Sequence, residues 1–127
     1  MEFELKLKEL SYIHAEAYPG GELKHGPLSL IQPGTLVVAL APSDEALSKI
    51  HGNIKEVKAR GAFVIALTDS EEISKEVDFA LGIGKTRSEL YPFAMLPLLQ
   101  LLAYYASVSR GIDPDRPRNL AKSVTVE

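Results

Sequence analysis

Thr35-Leu36-Val37-Val38-Ala39-Leu40-Ala41 is an unbroken aliphatic and β-branched run, and Ala62-Phe63-Val64-Ile65-Ala66-Leu67 repeats its character further along the chain. Each has the length and composition of a strand buried on both faces. Between them Pro42-Ser43-Asp44-Glu45 supplies a helix start, Leu47, Ile50, Ile54 and Val57 recur at helical spacing as one apolar stripe, and Gly61 ends the helix. A strand, an amphipathic helix and a second buried strand make a β-α-β unit, which joins a parallel pair. The fold class is therefore α/β. Ligands of such sheets collect beyond the carboxyl ends of the strands, here near Ala41-Pro42-Ser43 and Thr68-Asp69.

Downstream, Thr68-Asp69-Ser70 closes the second strand, Glu71 to Glu76 reads as a short helix, and Asp78 to Ile83 as a third, weaker strand. Ser88 to Arg110 reads as a helix that is apolar nearly all round, bent in its first half by Pro92 and Pro97 and ended by Gly111. Such a helix is buried against a sheet, a partner or both, and three short strands favour both. Upstream, Phe3, Leu5, Leu7, Leu10, Ile13 and Ala17 predict a helix from Glu2 to about Tyr18. No capping residue and no strand lead into it, so the domain is expected to be entered partway, with its first strand missing. Pro19-Gly20-Gly21 stops that helix, and Glu22 to Leu30 reads as a short helix or turn before Pro33-Gly34.

The chain's 127 residues, 46% hydrophobic, suffice for one domain with its own core. With no cysteine, disulfides, thiolate metal sites and a cysteine nucleophile are excluded, which suits a cytoplasmic protein. A net charge of −3 offers no basic surface for nucleic acid. The amino terminus lacks the order of a signal peptide, and the longest apolar run, Phe93 to Ala106, is shorter than a membrane span and carries Pro97 and Gln100. A soluble protein with no membrane contact is expected.

Candidate chemistry sits at both ends. Glu2, Lys6 and Glu9 fall at i, i+4 and i+7 on one helical face, either as surface ion pairs or as a general base beside a cation. His25 lies between glycines on bent backbone, where an imidazole that titrates near neutrality can transfer protons into a cleft, or simply be exposed. His14 and His51 are weaker candidates. The tail Arg116-Pro117-Arg118-Asn119-Leu120-Ala121-Lys122-Ser123-Val124-Thr125-Val126-Glu127 is too polar for a core element. Its Lys122 is either a solvated lysine or an amine able to form a Schiff base with a sugar carbonyl. The three histidines lack the spacing of a shared metal site, and no glycine-rich phosphate loop is present; Ser43 and Ser70 are isolated. Neither metal nor cofactor is expected.

Three stretches carry a resemblance: Leu7-Lys8-Glu9-Leu10-Ser11-Tyr12-Ile13-His14-Ala15-Glu16-Ala17-Tyr18, Gly21-Glu22-Leu23-Lys24-His25-Gly26-Pro27-Leu28, and the tail from Arg116 to Glu127. Together they resemble the carboxyl-terminal part of the glucosamine-6-phosphate synthase family, the isomerizing glutamine–fructose-6-phosphate aminotransferases. The resemblance implies a three-layer α-β-α sugar isomerase (SIS) domain with a mainly parallel sheet. Residues 1–111 would be a partial second SIS domain and 112–127 its active-site tail. It implies Glu9 as the base moving a proton between C1 and C2, Lys6 beside it, His25 as the ring opener acting across a homodimer interface, and Lys122 as the Schiff-base lysine. Substrate contacts would come from Glu9, Ala121 and Lys122, and the substrate would be fructose 6-phosphate, leading to glucosamine 6-phosphate. The family's glutaminase and its phosphate-binding first SIS domain have no counterpart here, so little activity alone and a companion chain are expected. The alternative is a non-catalytic module for sugar-phosphate binding or dimerisation.

Overall fold

A computed structural model of the protein describes residues 1–118, and Lys122 and Ala121 therefore lie outside the described residues. The chain divides into two units, one of Tyr18–Met95 and one of Met1–Ala17 with the segment from Leu96 onward.

In the Tyr18–Met95 unit the predicted β-α-β pattern is realised as β1 (Leu36–Ala41), α2 (Leu47–Lys58), β2 (Phe63–Thr68), α3 (Glu71–Glu76) and β3 (Phe79–Gly82). The sheet is wholly parallel in the order β1-β2-β3, with Leu36 opposite Phe63 and Ile65 opposite Phe79. Because alternate residues point to opposite faces, Val37, Ala39, Val64 and Ala66 share one face and join Ile54, Val57 and Ile73 in the core. Ile54 is 2% exposed. Removing its side chain as Ile54→Ala is expected to cost about 3 kcal/mol, read as a lower urea midpoint with unchanged slope.

The opposite face buries Leu67 but leaves other large apolar residues open. Leu36, Phe63 and Phe79 are 60%, 48% and 54% exposed, so β1 is not the strand buried on both faces that its composition predicts. An apolar run reports the burial that a strand seeks, and here α2 and its neighbours supply cover from one side. The helix start also differs, since α2 begins at Leu47 while the Asp44 carboxylate accepts the Ala46 N–H at 2.8 Å just before it. After α2, Gly61 has φ 86°, and a Cβ there would meet the Pro33 Cα at 2.9 Å. Glycine is required on both counts. α2 and α3 are clasped by His51, whose ring nitrogens face the carboxylates of Glu72 and Glu76. That contact gives His51 a structural part. His14 is solvent-exposed near Glu16.

In the other unit, α1 (Glu2–Lys6) continues as a π-helical turn over Leu7–Ser11. The helix expected to reach Tyr18 stops at Ser11, because Tyr12 adopts the left-handed conformation with φ 55° and ψ 28°. Local hydrogen bonds explain the widening. The Leu7 carbonyl accepts from the Ser11 hydroxyl at 2.7 Å and also from the Tyr12 N–H. A serine hydroxyl that takes the acceptor four residues back displaces the ordinary ladder bond. Ser107 is fully buried, and its hydroxyl donates to the Leu10 carbonyl at 2.8 Å and reaches Ile112 O at 3.1 Å.

α4 (Tyr91–Ser109) holds Pro97 in its interior, as expected. With the short 3-10 turn before it, Ser88–Ser109 spans 22 residues, longer than the apolar run marked in the sequence and enough by length and composition to cross a bilayer. Its Tyr105 is 63% exposed, and Leu101, Tyr104 and Val108 are also open to solvent.

Candidate active site

The π-helical turn positions the first candidate pair. Lys6 Nζ donates to Glu9 Oε2 at 2.7 Å, with both side chains part-buried. The hydrogen bond to Glu9 holds the Lys6 ammonium above the ordinary lysine pKa, so it stays charged at neutral pH. Glu4 is engaged separately, pairing with Lys8 at 2.5 Å and accepting the Ala17 N–H at 3.1 Å. Beside Glu9, residues that sequence reasoning passed over close the turn. Tyr12 accepts the Arg118 N–H on its hydroxyl at 2.7 Å, and the Arg118 guanidinium lies 4.1 Å from the Tyr12 ring centroid. Ser11 in mid-helix was the available signal for the widened turn; nothing local announces a left-handed Tyr12.

His25 belongs to the Tyr18–Met95 unit and ends a 3-10 helix, Gly20–His25, before Gly26 at φ 139°. Its ring accepts or donates at Glu22 Oε2, 2.8 Å away, and its side chain is 72% exposed rather than turned into a cleft of that unit. The structure thus joins Lys6 with Glu9, leaves His25 in the other unit, and does not describe Ala121 or Lys122. Among the described residues no group of three or more histidine or acidic side chains could hold a metal ion.

The carboxyl ends of the strands carry a polar cluster. An open groove of about 390 Å³ is lined by Thr68, Asp69, Ser70, Glu71, Ser74, Lys75, Gly82 and Ile83. Asp69 Oδ1 accepts the Ser43 N–H at 2.7 Å and Oδ2 accepts the Tyr91 hydroxyl at 2.8 Å. Burial works to raise the Asp69 pKa, but the bonds from Tyr91 and Ser43 outweigh it and hold it below the usual aspartate value. The bond to Asp69 raises Tyr91 in turn. A lowered carboxyl contributes stability above its unfolded pKa of about 3.9 and loses it as pH falls; a raised phenol contributes below about 10 and loses it as pH rises. Tyr91→Phe is therefore expected to lower the thermal midpoint at pH 7. The gap from wild type should close both below the Asp69 pKa and at strongly alkaline pH, as a pH series of thermal melts would show.

The parallel α/β frame and a match over most of the chain define the class: residues 1–110 match the family model of the SIS domain, and the chain belongs to that family. Along its full length it is 56% identical to the isomerizing glutamine–fructose-6-phosphate aminotransferase of Caldanaerobacter subterraneus subsp. tengcongensis, of which it covers 21%. It is 54% identical to the enzyme of the same name from Thermococcus kodakarensis, again covering 21%. The chain thus spans about a fifth of the length of these relatives. Among solved structures it is similar to the C-terminal domain of glucosamine-fructose-6-phosphate aminotransferase from Francisella tularensis, with a TM-score of 0.80 and 42% identity over 89% of this chain and 32% of that one. It is also similar to glucosamine-6-phosphate deaminase from Thermotoga maritima, with a TM-score of 0.68 and 32% identity over 97% of this chain and 35% of that one.

Proposed function

We propose that this chain is the isomerase-bearing part of a glutamine–fructose-6-phosphate aminotransferase. The observation that carries the reading is the Lys6–Glu9 pair, a carboxylate held 2.7 Å from an ammonium on a widened helical turn. π-helical turns concentrate at functional sites, and the whole-chain identity to the aminotransferases supports the assignment.

In this mechanism the Lys122 amine adds to the C2 carbonyl of open-chain fructose 6-phosphate and water leaves, forming an imine. Ammonia replaces the lysine nitrogen at C2. Glu9 then takes a proton from C1 and returns it to C2 while the C1 hydroxyl proton passes to the nitrogen, so that the C1 carbinol becomes the aldehyde and the C2 imine becomes the amine. His25 passes the proton that opens the ring, and its exposed imidazole suits a role in the site of a second copy. Ala121 completes the substrate contacts, and Lys6 orients the Glu9 carboxylate. Ammonia and the phosphate grip come from the portion of the protein that the relatives possess beyond the matched fifth of their length. The open sheet face of Leu36, Phe63 and Phe79 is the surface that this portion covers. The protein is soluble and cytoplasmic, works as a homodimer, and uses its apolar α4 for protein contacts.

The test is to incubate the chain with fructose 6-phosphate and borohydride and digest it for mass spectrometry. A reduced adduct on the peptide containing Lys122 supports the reading. Its absence favours the alternative, a non-catalytic module that binds sugar phosphate or dimerises.

A further inference from the structure

The 3-10 helix Gly20–His25 carries His25 at its end. Residues three apart in such a helix eclipse one another, so Glu22 and His25 share one edge, and His25 Nδ1 lies 2.8 Å from Glu22 Oε2. The two residues between them turn toward the body of the same unit. Leu23 packs against the core cluster that holds Ile54 and Val57, and Lys24 Nζ reaches the Glu56 carboxylate on α2 at 2.8 Å. A Cβ on Gly20 would meet Asn53 Nδ2 at 2.5 Å, so the start of the 3-10 helix also lies close on α2. At the other end the Gly26 carbonyl accepts the Ser29 N–H at 2.9 Å and the Ser29 hydroxyl at 2.6 Å. The backbone beneath Glu22 and His25 is therefore fixed from both ends, while the two side chains stay at the surface.

We propose that Glu22 is a positioning residue for His25, setting which imidazole nitrogen is free to move the proton that opens the sugar ring. An ionised carboxylate only accepts, so the neutral imidazole places its hydrogen on Nδ1, which leaves the Nε2 lone pair free on the far side of the ring. Nε2 then takes the hydrogen of the C2 hydroxyl of cyclic fructose 6-phosphate, the C2–O5 bond breaks as the C2 carbonyl forms, and the same proton passes to O5. Between the two transfers the imidazole is a cation, and the Glu22 carboxylate stabilises it. The side chains of His25 and Glu22 are 72% and 58% exposed, which limits the pair to a bias of a few fold. This inference rests on the ring-opening role proposed for His25, but the tautomer can be measured apart from it.

Two readouts on the intact chain separate the ideas: the tautomer of His25, read from the ring nitrogen chemical shifts of the neutral imidazole in alkaline solution, and the acceleration of anomer exchange in fructose 6-phosphate, read by exchange NMR. Glu22→Ala should cut the ratio of the Nδ1–H to the Nε2–H tautomer about threefold and slow the accelerated exchange by about the same factor, with the thermal midpoint unchanged. Glu22→Asp, which keeps the carboxylate on a shorter arm, should recover part of both. His25→Gln should remove the acceleration altogether. A wild-type ring with its hydrogen mainly on Nε2, or a tautomer ratio unchanged in Glu22→Ala, would overturn the assignment. A shifted ratio with undiminished exchange would do the same. If wild type itself does not accelerate the exchange, the ring-opening reading of His25 fails instead. The tautomer ratios then decide the pair alone, a shift in Glu22→Ala upholding Glu22 as the residue that sets the ring and an unchanged ratio overturning it.

Discussion

Lys122→Ala is expected to abolish the borohydride-trapped adduct while leaving the thermal midpoint of the chain at its wild-type value. An imine needs a primary amine, and no other side-chain type in the molecule supplies one, so alanine removes the bond-forming atom itself. In a preparation that also contains the remainder of the relatives' length, turnover should fall on the order of 10³-fold or more. Retention of an adduct in Lys122→Ala, mapped to one of the other lysines, would transfer the role to that residue. Lys6 would be the first to test, although its ion pair with Glu9 keeps it protonated and a poor nucleophile at neutral pH.

Glu9→Gln is expected to separate imine formation from proton transfer. The amide keeps the size of the side chain and an oxygen for Lys6, but it cannot take the C1 proton. Exchange of that proton with heavy water, followed by NMR of fructose 6-phosphate, should slow by about 10²–10⁴-fold. Trapping at Lys122 should persist. Equal loss of both signals would instead make Glu9 a support of its turn, since Lys6 and Glu9 also staple the part-buried start of the chain.

The parallel frame was legible because each element repeats its own period: the runs at 36–41 and 63–68 could only be strands, and Leu47, Ile50, Ile54 and Val57 could only be a helix against them. The openness of Leu36 and Phe63 was not legible, since composition records what a residue prefers to bury and not what arrives to bury it. The first helix was overextended for a related reason. Ile13 and Ala17 continue the apolar spacing, but the Ser11 hydroxyl at Leu7 and the left-handed Tyr12 end the helix through contacts that spacing does not encode. Lys6 and Glu9 could be paired from sequence because three residues on a helix are neighbours. His25 was singled out by its glycines, while its exposure and its Glu22 partner belong to the folded chain. The Arg118–Tyr12 contact had no sequence signal at all, being a meeting of the two ends of the chain.

That meeting also sets an order of assembly. Thr68 finds Ala41 across 27 residues, so the parallel sheet can form from one contiguous stretch, whereas Ser107 must reach Leu10 across 97. Closing the longer loop costs about 1 kcal/mol more in chain entropy if the intervening residues are still unfolded, and much less once they are compact. The sheet is therefore expected to form first and the turn that bears Glu9 to mature late. During synthesis the Leu10 carbonyl gains its Ser107 partner only once α4 has been made, so the turn that bears Glu9 stays exposed to interruption until then.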